Sequence, residues 1–232
     1  MNELLRVSWL LSPLLVGLAF HGLCIKFNWL GSLGRPIDNG RTFRGKRLFG
    51  DNKTWRGIVA VGLGTAAGFG LQAILHSLIG DRGIDLVEYS WAGAIALGFA
   101  VGVAAMLSEL PNSFIKRQSG ITPGAAGKGV AGLFFYFLDQ IDLLIGIWLV
   151  LALVIPVTIE RVLWSVVFLF LAHQFLTVVG YSLGMRATAR QGKMGDSLTW
   201  ESAHTSSIPR WAVRLAAYPW FLNFTSRYPA GR

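Results

Sequence analysis

The chain has 232 residues, of which 53% are hydrophobic and only 14% are charged, and its net charge is +9. Soluble domains have about 25% charged residues, and disordered chains combine low hydrophobicity with high net charge, so the composition excludes both classes. A basic excess in so apolar a chain indicates anionic lipid, phosphate ligands or membrane topology rather than nucleic acid. The single cysteine, Cys24, excludes a framework of internal disulfides.

Five stretches are apolar enough, or nearly so, over the roughly 20 residues that a transmembrane helix requires. They predict an all-α integral membrane protein with about five transmembrane helices. Two stretches contain glycine pairs with GxxxG spacing, Gly64 with Gly68 and Gly98 with Gly102. Such pairs favour close helix packing within the bundle, and a homodimer interface is the alternative. The predicted spans are about 7–25, 57–79, 91–108, 130–155 and 162–184.

The segments between these spans alternate in charge. Loop 26–56, segment 109–129 and the chain from 185 onward are basic, whereas loop 80–90 is acidic. By the positive-inside rule the basic segments lie in the cytoplasm, which places the N-terminus outside and the C-terminus in the cytoplasm. We therefore expect a transmembrane domain over 1–186 and a cytoplasmic tail over 187–232. The tail mixes aromatic and basic residues, which is typical of a segment in the headgroup region.

Two carboxylates lie inside the fourth predicted span. Asp139 and Asp142 are three residues apart, so they share one face of a helix. A carboxylate at membrane depth costs at least about 2.5 kcal/mol, and no span interior offers a lysine or arginine to pair with these two. Because Mg²⁺ binds through carboxylates together with substrate phosphates, the pair predicts a magnesium site, and a buried ion pair is the alternative. A helix that starts near residue 129 would place Asp139 about 15 Å deep, near the bilayer midplane.

The basic loop between the first two spans repeats glycine among its cations. Gly40, Gly45, Gly50 and Gly57 stand between lysines and arginines over 35–57. Flexible backbone beside such cations favours close approach to phosphates. A loop that sets topology by contacting anionic headgroups would have the same composition. The spacing G-x-x-x-x-G-K-[ST] is absent, so the loop is not a P-loop.

Four sequence elements together resemble the CDP-archaeol synthase family, a branch of the membrane cytidylyltransferases that includes CDP-diacylglycerol synthases. They are P-I-D-x-G with D-G-R-R-x-x-G-x-x-K-T-W-R-G in the first loop, S-F-I-K-R after the third span, D-Q-x-D in the fourth, and H…G-Y-x-L-G-x-[KR] in the fifth. The resemblance covers about 10–186 and departs from the family at Arg44, which replaces the acidic residue of D-G-R-R. The matching residues are Pro36, Ile37, Asp38, Gly40, Gly45, Arg47, Gly50, Lys53, Thr54, Trp55, Arg56, Gly57, Ser113, Phe114, Ile115, Lys116, Arg117, Asp139, Gln140, Asp142, His173, Gly180, Tyr181, Leu183, Gly184 and Arg186.

The resemblance implies an enzyme that transfers a cytidylyl group from CTP to a lipid phosphate, archaeol-type or like phosphatidic acid, giving CDP-lipid and pyrophosphate. It implies Mg²⁺ as cofactor, held by Asp139 and Asp142, which form the catalytic set with Lys53. The implied partners are CTP, a membrane lipid phosphate and the lipid bilayer, without nucleic acid, and the implied location is the cell membrane with the active site facing the cytoplasm. The residues implied in substrate binding are Asp38, Thr54, Arg56, Lys116, Arg117 and His173, although a packing role for His173 is equally well supported.

Two other functions compete with this one. The acidic pair also suits a non-catalytic membrane protein, a transporter or an assembly protein, that uses Asp139 and Asp142 as a cation or proton site. Five spans without an internal repeat differ from the inverted repeats of many transporters. A CDP-alcohol phosphotransferase would carry a D-G-x-x-A-R run, which this sequence lacks.

Overall fold

A computed structural model describes residues 2–80, 83–87, 90–121 and 129–182, without the side chains of 129–134, 136, 140 and 177–182. Within this part the chain forms five α-helices and one small hairpin. The helices are α1 (Glu3–Lys26), α2 (Trp55–Ile79), α3 (Trp91–Gln118), α4 (Gly129–Leu151) and α5 (Ile159–Ser182). Between α1 and α2 lie a 3₁₀ turn (Gly31–Leu33) and the antiparallel strands β1 (Thr42–Phe43) and β2 (Lys46–Arg47).

Each of the five helices overlaps one of the five predicted spans, and the prediction of a helical membrane protein is confirmed. Among the described residues, α1, α2, α3 and the part of α5 over Ile159–Leu176 are long and apolar enough to cross a membrane. The crossing by α4 stays a prediction, as does the predicted tail over 187–232, which lies outside the described residues.

Three helices begin at a polar side chain that caps the first turn. Asn2 accepts a hydrogen bond from the Leu4 N–H at 3.0 Å, and Ser90 accepts one from the Gly93 N–H at 3.2 Å. Thr54 does the same for α2, since its Oγ1 accepts from the Gly57 N–H at 3.3 Å. Each cap satisfies a backbone donor that the first turn of a helix leaves unpaired.

Glycines bring α1, α2 and α3 into close contact. A Cβ on Gly68 would lie 2.8 Å from the backbone of Pro13 in α1, and one on Gly98 would lie 2.8 Å from the Cα of Ala66 in α2. Gly64 and Gly102 are packed in the same way against α1 and α2. Both GxxxG pairs are therefore used for packing inside the bundle, and a homodimer stays a prediction.

A proline inside α1 is compensated by a side chain of α2. Pro13 lacks an N–H, so the Trp9 carbonyl loses its partner in the helix. Gln72 Nε2 donates to the Trp9 carbonyl and also to Ser12 Oγ, and the Ser12 hydroxyl donates to the same carbonyl at 2.9 Å. Because Gln72 is buried, this polar contact fixes the register between α1 and α2.

Helix α3 runs ten residues beyond the predicted end of its span at 108. Pro111 lies inside α3 without ending it, and the helix continues to Gln118. The segment that the sequence assigned to a loop, 109–118, is therefore helical. The reason is that its polar residues face a polar cavity, so losing apolar character does not end the helix.

The hairpin ends in a two-residue turn, Arg44–Gly45, since Phe43 pairs with Lys46. Both turn residues have positive φ, +52° for Arg44 and +75° for Gly45, as a type I′ turn requires. Lys46 Nζ donates to the Gln118 carbonyl, and Gln118 Nε2 donates to the Arg47 carbonyl at 3.3 Å. The hairpin is thereby fastened to the C-terminal end of α3.

Candidate functional site

A cavity of about 420 Å³ lies at the end of the bundle where α1 ends and α2 begins, and it extends between α1 and α5. One part of its wall is polar and the other part is apolar. The charged side chains on the wall are Lys53, Glu109, Lys116, Arg117 and Asp139. The apolar part includes Leu14, Leu18, Leu143, Phe168, Leu169 and Leu176. The cavity can therefore receive a phosphate and an apolar chain side by side.

Asp139 and Asp142 converge on one amide of α3. Asn112 Nδ2 donates to Asp139 Oδ1 at 2.6 Å and to Asp142 Oδ2 at 2.8 Å. Asp142 is buried and also accepts from the Leu143 N–H at 2.7 Å, whereas 46% of the Asp139 side chain is exposed to the cavity. The predicted sharing of one helix face is confirmed, and Asn112 joins the two carboxylates into one cluster.

Lys116 pairs with Asp139 and corrects one expectation from the sequence. Its Nζ donates to Asp139 Oδ1, the same oxygen that Asn112 reaches. The expectation that no neighbouring span offers a cation was wrong, because α3 extends past Lys116. The depth of Asp139 in the bilayer stays a prediction: α4 begins at Gly129 as expected, and Asp139 contacts Asn112 and Lys116 in the last two turns of α3.

Lys53 forms an ion pair with Glu109 across the cavity mouth. Lys53 precedes α2 by two residues and Glu109 lies on the cavity face of α3, so the pair joins the first loop to α3. Neither Glu109 nor Asn112 is among the site residues predicted from the sequence. The available signal was spacing, since Glu109 and Asn112 lie seven and four residues before Lys116, on the same helix face.

Asp38 lies away from the cavity, in the centre of the first loop. Its side chain is fully buried and accepts from Arg47 Nη2 at 2.7 Å and from the backbone N–H groups of Gly40, Phe49 and Gly50 at 3.0–3.1 Å. Burial opposes its ionisation, but Arg47 and the three N–H groups outweigh burial and hold the pKa of this carboxyl well below its usual range. With its oxygens occupied by the protein itself, Asp38 organises the loop.

Two more predicted substrate residues have protein partners outside the cavity wall. Thr54 caps α2, and Arg56 donates from Nη1 to Asn28 Oδ1 at 3.3 Å. Arg117 and His173 line the cavity as expected, and Arg117 also donates to the Ile121 carbonyl just past the end of α3. Lys53, Lys116, Arg117, Asp139 and His173 are thus the predicted site residues that the fold brings onto one cavity.

The helices and this cavity define a helical integral membrane protein whose bundle holds a cavity with one polar and one apolar wall. The sequence model of the family described as CarS-like, CDP-archaeol synthase, matches residues 1–189. The chain therefore belongs to the CDP-archaeol synthase family, as its motifs predicted.

Individual relatives agree with this assignment, and one solved structure shares the fold. The CDP-archaeol synthase of Halobacterium salinarum is 35% identical over 163 residues, which cover 66% of this chain and 82% of that protein. The one from Methanosphaerula palustris is 32% identical over 162 residues, 66% of this chain and 88% of the relative. The one from Halorubrum lacusprofundi is 41% identical over 114 residues, which span 48% of this chain and 56% of the relative. A solved intramembrane enzyme for archaeal membrane lipids biosynthesis has the same fold, with a TM-score of 0.52, 24% identity, and coverage of 73% of this chain and 91% of that one.

Proposed function

We propose that this protein transfers the cytidylyl group of CTP to a membrane lipid phosphate, archaeol-type or like phosphatidic acid, and releases pyrophosphate. The observation that carries the proposal is the divided wall of the cavity, with Lys53, Lys116 and Arg117 on one side and leucines of α1 and α5 on the other. Family membership supports the same reaction class. No described contact favours a transporter or an assembly protein over this enzyme.

The chemistry requires charge neutralisation more than proton transfer. An oxygen of the lipid phosphate, already anionic near neutral pH, attacks the α-phosphorus of CTP. The new bond forms between that oxygen and the α-phosphorus while the bond from the α-phosphorus to the bridging oxygen of pyrophosphate breaks. Lys53, Lys116 and Arg117 would hold the two polyanions together and stabilise the charge on the leaving group.

Mg²⁺ is proposed as the cofactor, with Asp139 and Asp142 as its carboxylate ligands. The donor set fits, because two converging carboxylates are what Mg²⁺ takes from a protein when substrate phosphates supply other ligands. The described residues contain no group of three histidine, cysteine or acidic side chains that could hold a metal, so further protein ligands would have to be of another type. When bound, the ion would neutralise phosphate charge.

We place the active site on the cytoplasmic side of the cell membrane, with five crossings, the N-terminus outside and the C-terminus in the cytoplasm. The basic loop 26–56 lies at the same end of the bundle as the cavity, which supports this orientation through the positive-inside rule. With 23 residues, α4 is about 35 Å long, which is enough for the fifth crossing.

Label transfer tests the reaction directly. The purified protein in detergent is given Mg²⁺, a lipid phosphate and CTP labelled at the α-phosphate, and label is expected in the organic phase. CTP labelled at the γ-phosphate is the matched control, because its label should leave with pyrophosphate. If α-label stays in the aqueous phase with both archaeol-type phosphate and phosphatidic acid, the proposed function is wrong.

A further inference from the structure

Asn112 carries a buried polar atom that the surrounding protein does not use. The residue is 4% exposed and its Nδ2 is shared between Asp139 and Asp142. Its other amide atom, Oδ1, is buried, and within the part of the chain that the structure describes no donor reaches it. A buried acceptor without a partner costs about 1–3 kcal/mol, so this arrangement needs a compensating reason.

The two carboxylates explain the orientation of the amide. With Nδ2 toward Asp139 and Asp142, the amide donates to both negative oxygens. With the amide reversed, its Oδ1 would face them and be repelled. A divalent cation between the carboxylates would invert this preference, because a carboxamide oxygen is then a ligand and the NH₂ group is repelled.

Lys116 already supplies a positive charge at the acidic pair, where a divalent cation would bind. Its ammonium contacts the same Asp139 oxygen as Asn112 Nδ2, so a positive charge and a partial positive charge already converge on the acidic pair. Lys116 also lines the cavity in which phosphates would bind. It therefore has an alternative partner available when another cation takes its place at Asp139.

We infer that Asn112 is a third oxygen ligand of the divalent cation at Asp139 and Asp142, and that its NH₂ group and the Lys116 ammonium hold the cation's place until it binds. On binding, the Asn112 amide reverses to present Oδ1, and Lys116 moves from Asp139 to a phosphate. This inference rests on the magnesium site proposed above and assigns that site one more ligand, of the amide type that the described acidic side chains cannot supply.

Direct metal binding without turnover tests the ligand. Mn²⁺ is titrated into the full-length protein in detergent, without nucleotide, and followed by electron paramagnetic resonance. Asn112→Leu is expected to weaken Mn²⁺ binding at least tenfold. If Asn112 only donates to the carboxylates, its removal frees them, so unchanged or tighter binding would overturn the inference.

A spectroscopic signature separates coordination from indirect effects and serves also if Asn112→Leu folds poorly. Protein labelled with ¹³C at the asparagine carboxamide is loaded with Mn²⁺, and a hyperfine coupling from a coordinated carboxamide is expected. Asn52→Leu is the matched control, because Asn52 also lines the cavity. The coupling should persist in Asn52→Leu. Its absence from the wild-type protein, or its loss in the control, overturns the assignment.

Lys116→Met tests whether the Lys116 ammonium occupies the cation's place at Asp139 before the cation binds. Removing the competing ammonium is expected to tighten nucleotide-free Mn²⁺ binding severalfold and to reduce the gain in Mn²⁺ affinity that CTP produces. Lys46→Met is the control, since Lys46 bonds the Gln118 carbonyl and does not line the cavity. Equal effects of the two substitutions would contradict the placeholder role. These binding results are independent of label transfer, so the reaction and the ligand assignment can fail separately.

Discussion

Two carboxylate sites at the same end of this bundle differ in how completely the protein satisfies them. Asp38 accepts from Arg47 and from three backbone N–H groups, and its side chain is fully buried. Asp139 and Asp142 share one amide, and Asp139 has one ammonium in addition and opens to the cavity. The first site has no capacity left for a ligand, while the second retains free lone pairs beside open space.

This difference separates a carboxylate with a structural role, Asp38, from carboxylates that can exchange their present partners for a cation, Asp139 and Asp142. A carboxylate whose oxygens are saturated by its own loop fixes that loop, and here the loop leads to Lys53 and to the cap of α2. A carboxylate held by movable donors, a lysine and an amide, can exchange those donors for a cation. The sequence motifs placed both in the site, Asp38 as a substrate-binding residue and Asp139 as a metal ligand.

The largest loss of activity is expected from substituting Asp139 or Asp142, the carboxylates that the protein does not saturate. Asp139→Asn and Asp142→Asn should each lower label transfer about 10²- to 10³-fold, because each removes charge that would hold the cation against the phosphates. Thermal stability should fall little or rise, since one of two neighbouring like charges is gone. Asp51→Asn is the matched control, as Asp51 is exposed and contacts only Arg47 among the ion pairs. Activity above half of wild type in Asp139→Asn would remove the distinction between the two sites.

Substitution of Asp38, the saturated carboxylate, should act mainly by lowering the stability of the protein. Asp38→Asn leaves Arg47 and backbone donors without their anionic partner, and we expect a loss of about 3 kcal/mol in the free energy of unfolding. Label transfer should fall mainly through a higher KM for CTP, because the loop that carries Lys53 loses its order. Thermal unfolding and kinetics of the same sample measure both. Lost turnover with an unchanged melting temperature and KM would instead make Asp38 a ligand.

Lowering the pH should remove the stabilisation that Asp38 contributes to the folded protein. The pKa of Asp38 is lowered in the folded protein, so its stabilisation is complete above the ordinary aspartate pKa of about 3.9 and is lost as pH falls below it. The melting-temperature difference between wild type and Asp38→Asn should therefore be constant from pH 7 to about pH 5 and shrink toward pH 3. A difference that grows on acidification would contradict the assignment.

The smallest effect is expected at the hairpin turn that follows Asp38. Arg44 has a positive φ, which costs about 1 kcal/mol for a residue with a Cβ and less for asparagine. Arg44→Asn should raise stability by about 0.5 kcal/mol and leave label transfer within about twofold. Arg41→Asn, in the same exposed segment but without positive φ, is the control. A tenfold loss of activity in Arg44→Asn alone would give Arg44 a role in substrate binding.

The family motif has an acidic residue at the position that Arg44 occupies in this chain. The family's acidic residue precedes a glycine, and the fold places this pair at a type I′ turn, where Asp-Gly is a favoured sequence. The position is therefore explained by backbone conformation. Arg44 lies over the Phe43 ring rather than on the cavity wall.

Features that depend on nearby residues could be predicted from the sequence. Runs of about 20 apolar residues predicted five helices, and the spacing of Asp139 and Asp142 put both on one helix face. The motifs were sufficient to assign the family. Each of these features depends on residues within a few turns of one another.

Which of the charged residues contact one another depends on how the helices pack. Asn112 and Lys116 reach Asp139 because α3 continues past Pro111 and packs beside α4, with Gly146 against the Ala104 carbonyl. Lys53 reaches Glu109 because α2 begins level with that turn of α3. Such pairings join residues 23 to 56 positions apart, and their distances follow from helix length and crossing, which composition and spacing do not specify.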